Sequence, residues 1–135
     1  MQASVKWCGN KTFLGLSNSG HNIVMDGNGG EHAPSPMEMV LMGAGGCSSV
    51  DVVAALEEAN QNVLGCEAQL SAERREQAPR LFTHINIHFV VKGDKIDESI
   101  VAAAVKDSLE KYCSVCLMLG AGVEMTHSYE IQQLA

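Results

Sequence analysis

The chain has 135 residues, enough for one domain with a real core and no disulfide staples. Its net charge of −7 argues against nucleic-acid binding, which needs a basic patch to neutralise phosphates. The densest basic cluster, Arg74, Arg75 and Arg80, is interrupted by Glu73 and Glu76 and reads as a solvated strand end.

The first residues, Met1 to Trp7, lack the apolar core of a signal peptide. The longest weakly polar stretch, Met37 to Val50, is short and rich in glycine for a bilayer span. These features lead to the expectation of a soluble cytoplasmic protein without membrane or nucleic-acid partners. In that compartment thiols stay reduced, so the five cysteines are core residues or redox groups rather than a disulfide framework.

In chain order, residues 2–7, Thr12 to Leu16 and Asn22 to Met25 read as three short strands. Turns at Gly9-Asn10 and Asn18-Ser19-Gly20 join them into an antiparallel meander. A glycine-rich loop leads to Ser35-Pro36-Met37-Glu38, where Ser35 is an N-cap, Pro36 opens the helix and Glu38 completes a capping box. The helix is expected to run to about Asn60, with a break near Gly65. It is apolar nearly all round from Met37 to Leu56, which marks a buried helix. In so small a chain this implies that a second copy covers part of it. The run Gly43-Ala44-Gly45-Gly46 costs helix propensity but admits a close backbone.

Two longer strands follow, Glu67 to Arg75 and Leu81 to Lys92. In the second, Phe82, His84, Asn86 and His88 share one face; Thr83, Ile85, Ile87 and Phe89 share the other. A helix from about Asp97 to Lys111 or Tyr112, a shorter one from Ser114 to Leu119 stopped by Gly120-Ala121-Gly122, and a strand from Val123 to Ile131 complete the chain. The order is β-β-β-α-β-β-α-α-β, an α+β arrangement in a single domain spanning residues 1–135, without repeats or linkers.

Cys47 lies inside the first helix. On composition alone it reads as a buried apolar residue. Gly45-Gly46 before it leave room for a small molecule or a second sulfur, and the hydroxyls of Ser48-Ser49 are donors for a thiolate. Cys113 stands at the joint of the two later helices, where a helix N-terminus lowers thiol pKa. Cys116 follows in a C-x-x-C spacing, but no thioredoxin-like βαβ pattern surrounds it, and no second ligand pair favours zinc. Cys8 and Cys66 suggest no role. His84 and His88 are about 13 Å apart along a strand, too far to share one metal directly. His32 sits in the loop before the first helix, within reach of a site there; His21 and His127 carry no signal.

Three segments, Ala33-Pro34-Ser35-Pro36-Met37-Glu38-Met39, Gly45-Gly46-Cys47 and Glu110-Lys111-Tyr112-Cys113, together resemble the OsmC/Ohr family, most closely its YhfA-type branch. The element order matches over essentially the whole chain. The resemblance implies a swapped homodimer with two central helices wrapped by mixed strands of both chains. It also implies reduction of organic hydroperoxides by Cys47, which attacks the O–O bond and becomes a sulfenic acid. Cys113 would then form a disulfide with Cys47, and a dithiol partner would reduce it. No metal, flavin or nucleotide is implied.

The chain departs from the family's peroxidase pattern in two places. Peroxidase members place an Arg from the N-terminal strands near the first cysteine, and this chain has none before Arg74. Lys6 or Lys11 supplies charge without a planar fork. The family Glu directly follows the helix-opening Pro, where Met37 stands here; Glu38 comes one residue later. At about 100° per residue, a spacing of nine puts Glu38 opposite Cys47. Glu38 therefore either caps the helix or faces a partner's cysteine. The alternative to a hydroperoxide reductase is a non-catalytic dimeric module that binds a small hydrophobic or thiol-reactive ligand at the cysteine cleft.

Overall fold

The structure, a computed structural model, describes residues 1–134 and divides into two compact units, Met1–Leu41 and Met42–Ala135. In the first unit, β1 (Ala3–Trp7), β2 (Thr12–Ser17) and β3 (Asn22–Asp26) form the antiparallel meander that the turn residues anticipate. Gly9 and Asn10 take positive φ (97° and 49°) in the first turn, which glycine and asparagine adopt at least cost. Every residue of β1 is exposed, with Val5 at 59% and Trp7 at 69%. After β3, the carboxylate of buried Asp26 organises the loop. It accepts the backbone N–H groups of Asn28 (2.7 Å) and His32 (2.8 Å).

Helix α1 (Pro36–Glu58) starts as its capping box requires: the Glu38 N–H donates to Ser35 Oγ (3.1 Å), and the Ser35 N–H donates to Glu38 Oε1 (2.9 Å). It ends earlier than about Asn60. Asn60 turns left-handed (φ 57°), and the Gln61 N–H returns to the carbonyl of Leu56 (3.0 Å), a Schellman closure that ends the helix.

The second unit holds a mixed sheet of order β4-β5-β6, with β4 (Asn62–Arg74) antiparallel to β5 (Phe82–Asp94) and β6 (Glu124–Gln133) parallel to β5. No break occurs at Gly65: β4 begins at Asn62, and the glycine lies inside it at a register shift, where the irregularity is absorbed as a bulge. A second shift skips Thr83, pairing Glu73 with His84 but Arg74 with Phe82. That extra residue moves Phe82 from the histidine face to the buried face, contrary to simple alternation. Ile85, Ile87 and Phe89 are fully buried as the alternation predicts. His84 and His88 bond across to β6, at Thr126 Oγ1 (2.9 Å), Ser128 Oγ (2.7 Å) and Glu130 Oε1 (3.1 Å).

The crossover from β5 to β6 contains α2 (Glu98–Asp107), a π-helical turn (Ser108–Tyr112) and α3 (Ser114–Leu119). Asp97 caps α2 through its side chain on the Ser99 N–H (2.9 Å). Val101, Ala104 and Val105 bury its inner face.

Along α1, Ala44, Ser48, Val52 and Leu56 form a fully buried stripe at a spacing of four residues. Another side of the helix is uncovered: Val50 is 69% exposed and Met42 49%. The single chain thus leaves part of this apolar helix uncovered, the side on which the expectation of a covering second copy rests. At 23 residues, α1 is long and apolar enough by length and composition to cross a bilayer, a test that a buried core helix also passes. Of the glycine run, Gly45 alone meets a neighbour. A Cβ there would come within 2.6 Å of the Leu70 side chain on β4, whereas Gly43 and Gly46 face open space.

Candidate functional site

The site is built where α3 begins against α1. The π turn closes with the Cys113 N–H on the carbonyl of Ser108 (2.7 Å), and the chain then extends at Cys113 (φ −73°, ψ 107°) before α3. Cys113 is thus the N-cap of α3, and its Sγ accepts the Cys116 N–H (3.4 Å). Both thiols are buried. Cys47 and Cys116 both lie near enough to raise the Cys113 pKa, so the three thiols form one cluster. The Cys116 thiol points to the carbonyl of Ala44, three residues before Cys47 on α1 (3.9 Å). Cys47 is the least buried of the three, and all are free thiols.

The helix N-terminus does not make Cys113 acidic. Loss of solvent outweighs the one N–H it accepts, and the neighbouring Cys47 and Cys116 act in the same direction as burial. Its pKa is pushed up to about 12. Burial also raises the Cys116 pKa, with the neighbouring Cys47 and Asp51 charges adding to it. A six-residue helix offers little dipole to oppose this. Cys113 is therefore a neutral thiol near neutral pH, suited to receive a sulfur–sulfur bond rather than to start the chemistry.

Ser48 does not serve Cys47 as a donor. Its hydroxyl turns back onto the carbonyls of Ala44 (2.7 Å) and Gly45 (3.2 Å) within the helix. Ser108 and Asp51, which sequence reasoning passed over, support the cluster. The Ser108 hydroxyl bridges the Ser48 carbonyl (3.1 Å) and Asp51 Oδ2 (3.2 Å), pinning the π turn to α1. Beside them opens a cleft of about 280 Å³ between α1 and α2, rimmed by Asp51, Asp107 and Tyr112 and floored by Ala55 and Ile100. The π-helical turn was the missing signal, since its extra residue is invisible to helical periodicity.

The remaining candidates lie elsewhere. The Glu38 carboxylate is held by Ser35, whose backbone and side-chain hydrogen bonds lower its pKa. His32 is exposed, its ring 3.8 Å from Glu31 and its backbone tied to Asp26. Cys8 is exposed, and Cys66 lies in β4 with its pKa raised by burial. The arginines cluster at the β4–β5 turn, where Arg74 Nε donates to the Arg80 carbonyl (2.9 Å) and Arg80 Nε to that of Arg75 (3.0 Å). Among the described residues, no group of three or more His, Cys, Asp or Glu side chains has the geometry to hold a metal ion.

The family described as OsmC-like protein matches residues 27–128. Protein YhfA of Escherichia coli (strain K12) is 62% identical over 131 residues, covering 97% of this chain and 98% of that protein. A hypothetical protein from Aquifex aeolicus VF5 superposes with a TM-score of 0.89 at 31% identity, over 99% of this chain and 97% of that one. The organic hydroperoxide resistance protein OsmC from Legionella pneumophila shares the fold with a TM-score of 0.71 at 15% identity, over 96% and 95% of the two chains.

Proposed function

Because the chain belongs to the OsmC-like protein family, we propose that it is a thiol-dependent reductase of organic hydroperoxides, acting as a homodimer in the reducing cytoplasm. The observation that carries this reading is the cluster itself: a partly exposed Cys47 beside a buried, neutral Cys113. The name of the Legionella protein of like fold points to the same substrate class.

In the proposed cycle, Cys47 as thiolate attacks the terminal peroxide oxygen. The O–O bond breaks, the alcohol leaves with a proton, and Cys47 becomes a sulfenic acid. The Cys113 sulfur then displaces the hydroxyl, its own proton completing a water molecule, and a Cys47–Cys113 disulfide results. One hydroperoxide is reduced to alcohol and water while two thiols are oxidised. An external dithiol restores them by exchange. No metal or organic cofactor enters the cycle. Glu38 is assigned to the helix cap rather than to this chemistry, because Ser35 occupies its carboxylate.

Replacing Cys47 by Ser is expected to abolish consumption of cumene hydroperoxide in a dithiol-coupled assay. Cys113→Ser is expected to consume about one equivalent and stop as a sulfenate or mixed disulfide. Normal turnover by the Cys47→Ser protein contradicts the proposal.

A second reading is favoured by the placement of the charges. All three arginines sit at the β4–β5 turn, and the helix-start carboxylate is engaged in a cap. On this reading the chain binds a small apolar or thiol-reactive ligand at the cysteine cleft without turnover. It requires saturable binding with a negligible rate; robust turnover of any lipid hydroperoxide eliminates it.

A further inference from the structure

The proposed cycle uses two of the three clustered thiols and leaves Cys116 unexplained. Its position is specific. It is the third residue of α3, directly above the N-cap Cys113, and Cys113 accepts its backbone N–H. Its sulfur donates to the carbonyl of Ala44, on the turn of α1 that precedes Cys47 (3.9 Å). Cys113 therefore has two thiol neighbours, Cys47 on α1 and Cys116 on its own helix.

We propose that Cys116 is a second resolving thiol, which moves the disulfide from Cys47–Cys113 to Cys113–Cys116 and returns Cys47 to the thiol form. This rests on the reductase reading for its physiological oxidant, an organic hydroperoxide. In the exchange, the Cys116 sulfur attacks the Cys113 sulfur. The Cys113–Cys116 bond forms, the Cys47–Cys113 bond breaks, and the electron pair leaves on Cys47. The proton lost by Cys116 is taken up by Cys47, so the step is redox-neutral and needs no further reactant.

Two features favour this direction. Cys47 is the least buried of the three, so a departing thiolate is better solvated there than at Cys116. The N-cap and third position of a helix are also close enough for the side chain of one to serve the backbone of the other, which this pair already does. The relay frees Cys47 for a further hydroperoxide while the first oxidation is held in a buried bridge.

The test is peptide mapping of the fully reduced protein after one equivalent of oxidant, with free thiols alkylated by N-ethylmaleimide at successive times. Cumene hydroperoxide is used in one arm and diamide, which oxidises dithiols without peroxide chemistry, in the other. The relay predicts a transient Cys47–Cys113 bridge replaced by Cys113–Cys116, with Cys47 becoming alkylated again. In Cys116→Ala, recovery of alkylatable Cys47 slows by at least roughly tenfold. A Cys47–Cys113 bridge that persists in the unsubstituted protein with Cys116 alkylated throughout overturns the relay while leaving the reductase reading intact. A Cys113–Cys116 bridge formed with diamide alone, with no thiol consumed by hydroperoxide, supports the exchange and contradicts the reductase reading. No Cys113–Cys116 bridge in either arm overturns the relay, and the unsubstituted protein alone decides this.

Discussion

At the scale of single residues, environment rather than identity separates the five thiols. Cys8 is exposed at a turn and Cys66 sits in a strand, whereas Cys47, Cys113 and Cys116 meet at one point. Burial holds Cys113 as a thiol up to about pH 12, far above the ordinary cysteine value of about 8.5. Because its folded pKa is raised, the neutral form stabilises the fold fully below the unfolded value, and that contribution is lost as pH rises toward the folded one. Unfolding midpoints in urea should therefore fall between about pH 9 and 12, and less so in Cys113→Ala. Tyrosine and lysine ionisation is common to both proteins, so the difference between their pH profiles is the readout.

Asp26 works in the opposite sense. Its N–H partners Asn28 and His32 lower its pKa, so its contribution is present above the unfolded value near 3.9 and lost as pH falls through the folded one. Asp26→Asn should flatten the acid limb of the stability profile; an unchanged limb contradicts the assignment.

Among the elements, the parts most legible in the sequence were those set by local chemistry. The capping box at Ser35-Glu38, the Asp97 start of α2 and the span of α3 from Ser114 to Leu119 follow from cap and stop residues. What escaped were features that depend on pairing across the fold. The bulge at Thr83, which buries Phe82, exists only because β4 and β5 are in register on either side of it. The π turn ahead of Cys113 leaves no mark on periodicity, and the thiol's raised pKa follows from burial that no local pattern reveals. Cys47 and Cys113 were legible as a pair through family resemblance, and Cys116 only as a spacing.

Gly93 shows how tightly one such junction is built. A Cβ there would collide with the Asn62 carbonyl and with the Ile96 side chain, and the backbone atom has no freedom to yield. Gly93→Ala should cost about 1–3 kcal/mol in chemical denaturation. Gly46→Ala faces open space in the single chain and should stabilise it by about 1 kcal/mol through helix propensity, so a loss of stability would report a covering partner.

For the whole molecule, the decisive feature is the uncovered side of α1. One stripe, from Ala44 to Leu56, is anchored on the second unit's core, and Ser108 ties Asp51 and the Ser48 backbone to the π turn. Val40, Met42 and Val50 remain outside. An apolar surface of this kind is covered by a partner or a bilayer. The proposed homodimer predicts a dimer by light scattering in detergent-free buffer. Val50→Asp is expected to shift that species toward monomer. A monodisperse monomer of the unsubstituted protein contradicts the dimer.

The central claim is that this fold positions Cys47 and Cys113 for hydroperoxide reduction. Its most direct test is titration of the reduced protein with cumene hydroperoxide while counting free thiols. The account predicts loss of two thiols per hydroperoxide within seconds, abolished by Cys47→Ser. Thiols that stay reduced for hours would contradict it.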